Sequence, residues 1–295
     1  MLKPGAMPIA AAAAFVWLQL SPVRPFAGVT YIDEMVDQGR PAHSHVLQID
    51  LQAAGVRVMA TPPEGDRETI RSTTADLVTR FHAQAGINAH FFLPFPSADT
   101  SAFVIGLAAS EGRVYSHCET PQQNYAIVAD APAINIDREN HASVVHCGDK
   151  TPLWTTVSGS AQIVTNGVAS IPEYKDDVHP RGLLTEGGPR NYSNKNSWYE
   201  VITARSAIGL SKDNRTLTLF TVDARGGSEG MTVGEMAQWL IGRYGVWNAL
   251  NLDGGGSTSL VLAGADGKGA IVNASSDNPA GRSVASSLMV FARPR

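Results

Sequence analysis

The sequence predicts an α+β fold, a single domain with a mixed, mostly antiparallel β-sheet core and a few flanking helices. Charged residues make up only 17% of the chain, and 28 glycines and 17 prolines indicate many short strands and turns. Most apolar runs are short or alternate with polar residues, as strands do, and helical spacing is clear in two places. With 295 residues and 43% hydrophobic residues, the chain can bury a sizeable core.

The first third combines strands with one helix. Val46–Leu51 alternates apolar and polar residues, and Val56–Ala60 is expected to be its neighbouring strand. A helix is predicted to begin at a Thr73 cap and to end at Gly86, with its apolar face formed by Leu77, Val78, Phe81 and Ala85. Ile87–Phe92 then reads as a strand that carries the polar residues Asn88 and His90.

The middle third is predicted to consist of short strands separated by turns. These strands are Arg113–His117, Tyr125–Ala129, Ala133–Ile136, Ser143–Val145 and Thr156–Val164. Pro172–Ser197 is long, polar and aperiodic, which is typical of an ordered loop over a site or of a lid.

The last third contains the clearest helix of the chain. Apolar residues recur at helical spacing from Thr232 onward, and Gly245 is expected to end that helix. The predicted strands around it are Ala207–Leu210, Thr216–Ala224, Trp247–Leu252, Leu260–Ala263 and Val284–Phe291.

The N-terminus has the pattern of an export signal. Lys3 precedes the apolar run Ile9–Leu20, which suits a signal peptide over residues 1–27 and is shorter than the roughly 20 residues of a membrane-spanning helix. Residues 28–295 would then form the exported domain, periplasmic or extracellular, with no further membrane segment. In that setting Cys118 and Cys147 could form a disulfide, or they could be two unpaired thiols. The net charge of −4 argues against nucleic acid as a partner.

The most informative segment runs from Asn251 to Ser259, with the sequence Asn-Leu-Asp-Gly-Gly-Gly-Ser-Thr-Ser. An apolar strand there ends on Asp253, and the three glycines allow close approach of the backbone to a ligand. An acid, amide donors and hydroxyls together suit an anionic or polyhydroxylated substrate, although a Gly-rich turn with Asp as turn former is the alternative. The spacing fits neither the dinucleotide fingerprint nor the P-loop.

Several separated motifs resemble the phosphodiester glycosidase family, in the family's order and over roughly residues 28 to 292. The family's Asn-x-Asp-Gly-Gly-Gly-Ser is complete at Asn251–Ser257. Its weaker motifs correspond to Asn88-Ala89-His90-Phe91-Phe92, Arg205-Ser206-Ala207-Ile208-Gly209, Val222-Asp223-Ala224-Arg225, Gly230-Met231-Thr232-Val233-Gly234-Glu235 and Arg282-Ser283-Val284. Ala89-His90 and Ala224 replace glycines of the family's pattern, which puts the substrate in doubt more than the reaction class.

The resemblance implies hydrolysis of a glycosidic bond to phosphate in an exported or cell-surface glycan, with a carbohydrate or sugar phosphate as substrate. Such a reaction needs a carboxylate at the anomeric centre and cations on the phosphate. The candidate catalytic residues are Asp253, Asp223 and Glu235. The candidate substrate-binding residues are Asn88, Arg205, Arg225, Gly254, Gly255, Gly256, Ser257, Thr258 and Arg282.

Structural roles compete with several of these assignments. Arg205 or Arg225 could form a buried salt bridge, Asp223 could cap a turn, and Glu235 stands at the capping-box position of Thr232. His90 could be an acid or base, but a hydrogen-bonded strand histidine is favoured.

Two other functions remain open from the sequence. One is a non-catalytic glycan-binding or envelope polysaccharide assembly protein, and the other is a metal-assisted phosphodiesterase with Asp223 and Asp253 as ligands. No metal site or cofactor is assigned, a divalent cation is left open, and the oligomeric state is not determined.

Overall fold

The structure is a computed structural model that describes residues 22–37, 39–116, 118 and 123–295. The strands, in chain order, are β1 Val23–Phe26, β2 Val29–Asp37, β3 Pro41–Asp50, β4 Arg57–Ala60, β5 Thr69–Ile70, β6 Ala85–Asn88, β7 Phe92–Leu93, β8 Ser101–Val104, β9 Ala108–Ser110, β10 Arg113–Ser116, β11 Ala133–Ile136, β12 Ala142–Val145, β13 Thr155–Ser158, β14 Ala161–Thr165, β15 Val168–Ala169, β16 Arg205–Leu210, β17 Thr216–Val222, β18 Asn248–Asn251, β19 Leu260–Ala263, β20 Gly269–Ile271 and β21 Ser287–Phe291. The helices are α1 Thr74–Phe81 and α2 Val233–Tyr244, with 3₁₀ turns at Trp198–Glu200 and Gly255–Ser257.

Four sheets organise these strands. The largest has eight strands in the order β1-β2-β3-β17-β16-β18-β14-β15. Two five-stranded sheets have the orders β10-β9-β13-β11-β12 and β20-β19-β6-β21-β4, and a three-stranded sheet is β5-β8-β7. The predicted antiparallel core is confirmed, but the predicted mixture is wrong for the described strands, which all pair antiparallel. One isolated parallel bridge joins Tyr174 and Leu184.

The eight-stranded sheet separates two hydrophobic cores. Phe220 and Val222 of β17 point toward the core that contains α2, whereas Leu217 and Leu219 point toward the core beneath the β4/β6/β19/β21 sheet. This alternation follows from the two-residue period of a strand. It therefore decides on which face of the sheet each polar residue of β16 and β17 lies.

The helix near residue 232 is confirmed, whereas the end of the first helix is predicted too late. Thr232 caps α2 and Gly245 ends it in the left-handed conformation. Thr73 caps α1 as predicted, but His82 takes the left-handed position at φ 54° and ends the helix there. The backbone then returns into β6, so Ala85 belongs to that strand and Gly86 is no helix stop.

Three strand predictions are corrected by the pairing. β4 pairs with β21, because β2 and β17 occupy the two edges of β3. Residues 125–129 form turns, not a strand. The predicted strand Thr156–Val164 is broken at Gly159, where an added Cβ would lie 2.6 Å from the Asn251 carbonyl oxygen, so the chain changes from β13 to β14.

The predicted leader lies mostly outside the described residues. Its last part, Val23–Phe26, pairs with β2 as an edge strand. Cys118 and Cys147 form a disulfide, with Cα atoms 5.8 Å apart. Neither helix of the described chain is long and apolar enough to span a bilayer.

Candidate active site

One pocket collects several of the predicted site residues. It has a volume of about 410 Å³ and lies where the triple-glycine segment meets the start of β16. The predicted residues that line it are Arg205, Asp253, Gly254, Gly255 and Arg282. Its other walls are Phe91, Phe92, Phe95, Pro96, Gln123, Tyr125, Ala126, Pro189, Trp198, Val201 and Thr203. Asp253 is the only carboxylate that the described residues contribute to this lining.

Two hydrogen bonds to its backbone hold Asp253 in place at the end of β18. Its N–H donates to Ala89 O at 3.1 Å, and its carbonyl accepts from Asn88 Nδ2 at 2.6 Å. The Asn88 side chain also accepts from Ser206 Oγ and from the Ser259 N–H, at 2.8 and 3.0 Å. Asn88 is fully buried and does not line the pocket, so it positions the carboxylate-bearing segment from behind.

The three glycines serve mainly close packing. The Gly255 N–H donates to Ala204 O at 2.8 Å, which removes it from the set of amides available to a ligand. A Cβ at Gly256 would lie 1.8 Å from Asp277 Oδ1 and 2.2 Å from Arg282 Nη2. The segment is therefore a 3₁₀ turn over which an ion pair packs, rather than an open nest of three free amides.

Asp253 has an unusual protonation equilibrium. Burial raises the pKa of its carboxyl to about 6, against the opposing effects of a hydrogen bond to Ser257, the charge of Arg282 and the Gly254 N–H. Part of the residue is still exposed to the pocket. At neutral pH the group is mostly ionised, but it titrates close to the range in which general bases work well.

Arg205 is a buried cation that lacks an ion-pair partner among the described residues. Its Nε donates to Met231 O at 3.1 Å and its Nη2 donates to Val201 O, while the guanidinium lies 4.8 Å from the Trp198 ring centre. Burial lowers the pKa of Arg205 to about 10, so the group remains charged at neutral pH. A buried positive charge without a carboxylate is suited to hold an anion.

Arg282 adds a second cation to the pocket lining. Its Nη1 donates to Ser257 Oγ at 3.1 Å, and its Nη2 donates to Asp277 Oδ2 at 2.5 Å. The guanidinium also lies 4.8 Å from the ring centre of Phe95. Ser257 is buried beneath this pair and bonded to Asp253, so it connects the carboxylate with Arg282 and does not line the pocket.

Sequence reasoning missed the aromatic walls of the pocket. Phe91 and Trp198 meet edge to face with ring centres 6.0 Å apart, and Tyr125 stacks on Tyr192 at 5.4 Å. Phe91 belongs to the family-like motif at residues 88–92, but Tyr125 and Trp198 lie in segments that match no motif of the family. The loop over residues 172–197 contributes Pro189 to the pocket, and it is ordered by buried side chains such as Tyr174.

Three other predicted residues lie elsewhere in the described chain. Glu235 completes the capping box of Thr232 and pairs with Arg40. Arg225 is exposed, and its Nε donates to Ser276 O at 2.8 Å. Thr258 is buried outside the pocket lining.

Asp223 is the important exception to the predicted constellation. Val222 pairs with Arg205 across the sheet, so the next residue along β17 points to the opposite face. There Asp223 Oδ1 accepts from the Ala274 N–H at 2.7 Å, and Oδ2 lies 3.2 Å from His45 Nε2. Asp223 and Asp253 are therefore not brought together in the pocket.

His90 is a structural histidine. It is completely buried, with Nδ1 2.7 Å from Ser286 Oγ and Nε2 3.0 Å from both Leu107 O and the Ser158 nitrogen. Burial lowers its pKa to about 4, so the imidazole is neutral at physiological pH. It does not line the pocket.

Fold and pocket together define a β-rich protein whose described residues bring one carboxylate and two guanidinium groups to the lining of an aromatic cleft. A phosphodiester glycosidase family model matches residues 81–291. The chain belongs to the phosphodiester glycosidase family.

The relatives differ in how much of the chain they match. The human N-acetylglucosamine-1-phosphodiester alpha-N-acetylglucosaminidase is 32% identical over 119 residues, which are 39% of this chain and 21% of the human protein. The Bos taurus enzyme of the same name is 42% identical over 119 residues, 39% of this chain and 20% of its own length. The chain thus spans about a fifth of the length of these curated relatives.

Solved structures extend the likeness to nearly the whole fold. The zebrafish N-acetylglucosamine-1-phosphodiester alpha-N-acetylglucosaminidase catalytic domain, auto-inhibited by its pro-peptide, superposes with a TM-score of 0.61 at 19% identity, covering 93% of this chain and 86% of that one. A hypothetical protein from Synechocystis gives a TM-score of 0.59 at 14% identity, covering 90% of this chain and 62% of its own. At these identities the superpositions show the shared fold.

Proposed function

We propose that this protein hydrolyses the glycosidic bond between a sugar and a phosphodiester in an exported or cell-surface glycan. The observation that carries the proposal is that one pocket combines Asp253 with Arg205, a buried cation that forms no ion pair with a carboxylate of the described residues. A phosphodiester carries a negative charge where the guanidinium groups lie, and the aromatic walls offer flat apolar surfaces to a sugar ring.

In the proposed reaction the bond between the anomeric carbon and the phosphate oxygen breaks. The phosphate departs as a monoester anion, and one water supplies the hydroxyl of the released sugar and the proton that balances the products. The leaving group is already a stable anion near neutral pH, so a single carboxylate suffices where most glycosidases use two. This fits a pocket in which Asp253 is the one carboxylate contributed by the described residues.

Each charged group has a role in this scheme. Asp253 acts as nucleophile at the anomeric carbon or as base toward the attacking water, in its ionised form. Arg205 and Arg282 neutralise the phosphate oxygens as charge develops on the leaving group. Asn88 positions the Asp253 backbone, and Ser257 couples the carboxylate to Arg282.

We infer that the chain acts outside the cytoplasm. The N-terminal pattern of a leader over residues 1–27 supports this, with 28–295 as the catalytic domain. Removal of that leader would take the edge strand β1 with it and leave β2 at the edge of the sheet. The disulfide between Cys118 and Cys147 independently supports action outside the cytoplasm, because such bonds persist in oxidising compartments.

The test measures release of free sugar from a sugar-1-phosphodiester, with binding of the same compound followed by calorimetry. Asp253→Asn is expected to abolish release while it retains binding. Arg205→Met is expected to weaken binding by about 10- to 100-fold, the loss of one charge-assisted contact of roughly 1.5–3 kcal/mol.

The matched control is Arg215→Met, because Arg215 is exposed and outside the pocket. It is expected to leave both activity and binding unchanged. Tight binding without any sugar release by the unaltered protein would instead support the non-catalytic glycan-binding function. Full activity in Asp253→Asn would overturn the proposed mechanism.

A further inference from the structure

A second cluster of polar side chains lies on the far face of the eight-stranded sheet. Asp33 on β2 is the cross-strand neighbour of His45 on β3, and His43 lies two residues away on the same face. Asp33, His43 and His45 each offer one ligand atom, and these atoms lie within 4.8 Å of one another. Asp223 joins them from the end of β17, where its N–H donates to His43 O.

The donor atoms have the spacing of ligands around one small cation. Asp223 Oδ2 lies 3.2 Å from His45 Nε2 and 3.5 Å from His43 Nδ1. Two ligands of a tetrahedral zinc ion, each about 2.0–2.1 Å from the metal, stand about 3.3 Å apart. The two imidazoles and one of the two carboxylates form a three-ligand set, which binds first-row transition metals in preference to Mg²⁺ and Ca²⁺.

The remaining nitrogens are already held by neighbours. His43 Nε2 lies 2.5 Å from Asp33 Oδ1, so whichever nitrogen of His43 ligates, the other keeps a carboxylate beside it. His45 Nδ1 lies 2.8 Å from the Tyr31 hydroxyl. Such partners for the second ring nitrogen are what metal-bound histidines usually have, because they fix the tautomer and the ring plane.

Two carboxylates lie in this largely buried cluster. His45 and Asp223 are almost fully buried, at 2% and 3% exposure. Within the described residues, the ion-pair contacts of Asp33 and Asp223 are to His43 and His45 alone, with no lysine or arginine. A divalent cation would balance the charges of the two carboxylates. Asp33 and His43 are about a quarter exposed, which leaves an entry path from solvent.

We propose that Asp33, His43, His45 and Asp223 form a binding site for one divalent transition-metal ion of the zinc class. The site is separate from the pocket of Asp253, since none of the four residues lines that pocket.

The site also touches the segment that borders the pocket. Asp223 accepts from the Ala274 N–H at 2.7 Å, and the Ser276 N–H two residues later donates to Gly255 O at 3.4 Å. Asp277, the next residue, pairs with Arg282 over the triple-glycine turn. An ion held by Asp223 would therefore stabilise the chain on which Arg282 depends. The bound metal is expected to raise the melting temperature and to leave the chemical step to Asp253.

The experiment uses the purified protein, stripped with a chelator and dialysed. Titration with Zn²⁺ by calorimetry, with metal analysis after gel filtration, is expected to give one ion per chain with micromolar or tighter affinity. Zn²⁺ should raise the melting temperature, whereas Mg²⁺ and Ca²⁺ at the same concentration should leave it unchanged. Co²⁺ is expected to bind in its place and to give a visible absorption band that reports imidazole and carboxylate ligation.

Variants assign the ion to these side chains. His45→Gln and Asp33→Asn are expected to lower Zn²⁺ affinity by about 10- to 100-fold or more, the usual cost of losing a ligand or its hydrogen-bonded support. His141→Gln is the matched control. His141 lies in an exposed turn outside the cluster, and its Nδ1 is 3.1 Å from Asp137 Oδ2. It should bind Zn²⁺ as the unaltered chain does.

The unaltered chain provides a test that does not depend on how the variants fold. Absence of a stoichiometric Zn²⁺ site in it would overturn the proposal, as would equal affinity in folded His45→Gln and in the control. Neither result would affect the proposed hydrolysis, which is measured separately.

Discussion

The carboxyl group of Asp253 couples the proposed hydrolysis to the stability of the fold. Its pKa is raised from 3.8 to about 6 by burial, so the folded state holds the proton more tightly than the unfolded state. Its stabilising effect is complete below pH 3.8 and is lost as the pH rises through 6. Ionisation at neutral pH therefore costs the fold up to about 3 kcal/mol, at ~1.4 kcal/mol per pKa unit.

The first prediction concerns Asp253→Asn. At pH 7 this variant is expected to unfold at higher denaturant concentration than the unaltered protein, because the amide is neutral without cost. The gain should shrink toward pH 4. For the proposed sugar release by the unaltered protein, kcat/KM is expected to fall on the acid side with an apparent pKa near 6. A variant that is equally or less stable at pH 7 would contradict the burial of an ionised carboxylate.

His90 changes the pH dependence of stability in the opposite direction to Asp253. Burial lowers its pKa from 6.5 to about 4, so the unfolded chain takes up the proton first. The stability it contributes is complete above pH 6.5 and is lost as the pH falls through 4, by up to about 3 kcal/mol.

The second prediction therefore distinguishes His90 from Asp253 by the slope of the free energy of unfolding against pH. His90→Gln is expected to lower stability at pH 7.5 but to remove part of the loss between pH 6.5 and 4. Asp253→Asn should steepen that loss, because it removes the group that gains stability on acidification. Denaturant unfolding at several pH values measures both slopes, and parallel curves for all three proteins would disprove the assignments.

At the scale of elements, the local signals in the sequence were strongest where caps and periodicity agreed. The helix from Thr232 to Gly245 and the strands Ala133–Ile136 and Leu260–Ala263 could be predicted because each is defined within its own segment. The first helix ended early because His82 adopts a left-handed conformation that glycine usually takes. Nothing local in the sequence marked that change.

The candidate site shows the same division between residues that local motifs predicted and residues whose position depends on tertiary structure. Asp253, Arg205 and Arg282 could be predicted from motifs, and the pocket unites them. The separation of Asp223 from Arg205 depends on strand register, in which Val222 rather than Asp223 opposes Arg205. Trp198 and Tyr125 were missed because their position depends on tertiary packing of loops far apart in the chain.

The third prediction compares two glycines in different elements. Gly256→Ala forces a Cβ into the Asp277–Arg282 ion pair, so it should displace Arg282 and reduce both stability and substrate binding. Gly242→Ala places a Cβ on the exposed side of α2, where no atom lies within 4 Å. It should raise the free energy of unfolding by about 0.5–1 kcal/mol and leave activity unchanged. Equal effects of the two variants would contradict the close packing at Gly256.

At the scale of the whole molecule, the sheets are held together by strand pairings between segments that are distant in the sequence. At the centre of the eight-stranded sheet, β3 pairs with β17, which lies more than 150 residues further along the chain, and β17 pairs in turn with β16. The pocket is formed where this sheet meets the segments after β6 and β18. Stability and site geometry therefore share the same long-range pairings, and the unfolded chain has a large entropy to lose.

The Cys118–Cys147 disulfide limits that entropy, and it provides the fourth prediction. It closes a loop of 29 residues, which in the chain-entropy account is worth about 3–4 kcal/mol. Replacing both cysteines by serine should lower the free energy of unfolding by that order, and reductant should have the same effect on the unaltered chain but none on the variant. Sugar release at low temperature should persist, because neither cysteine lines the pocket of Asp253. If reduction left the denaturant midpoint unchanged, the bond would not constrain the unfolded ensemble, and the cause of the stability would have to lie in the sheets alone.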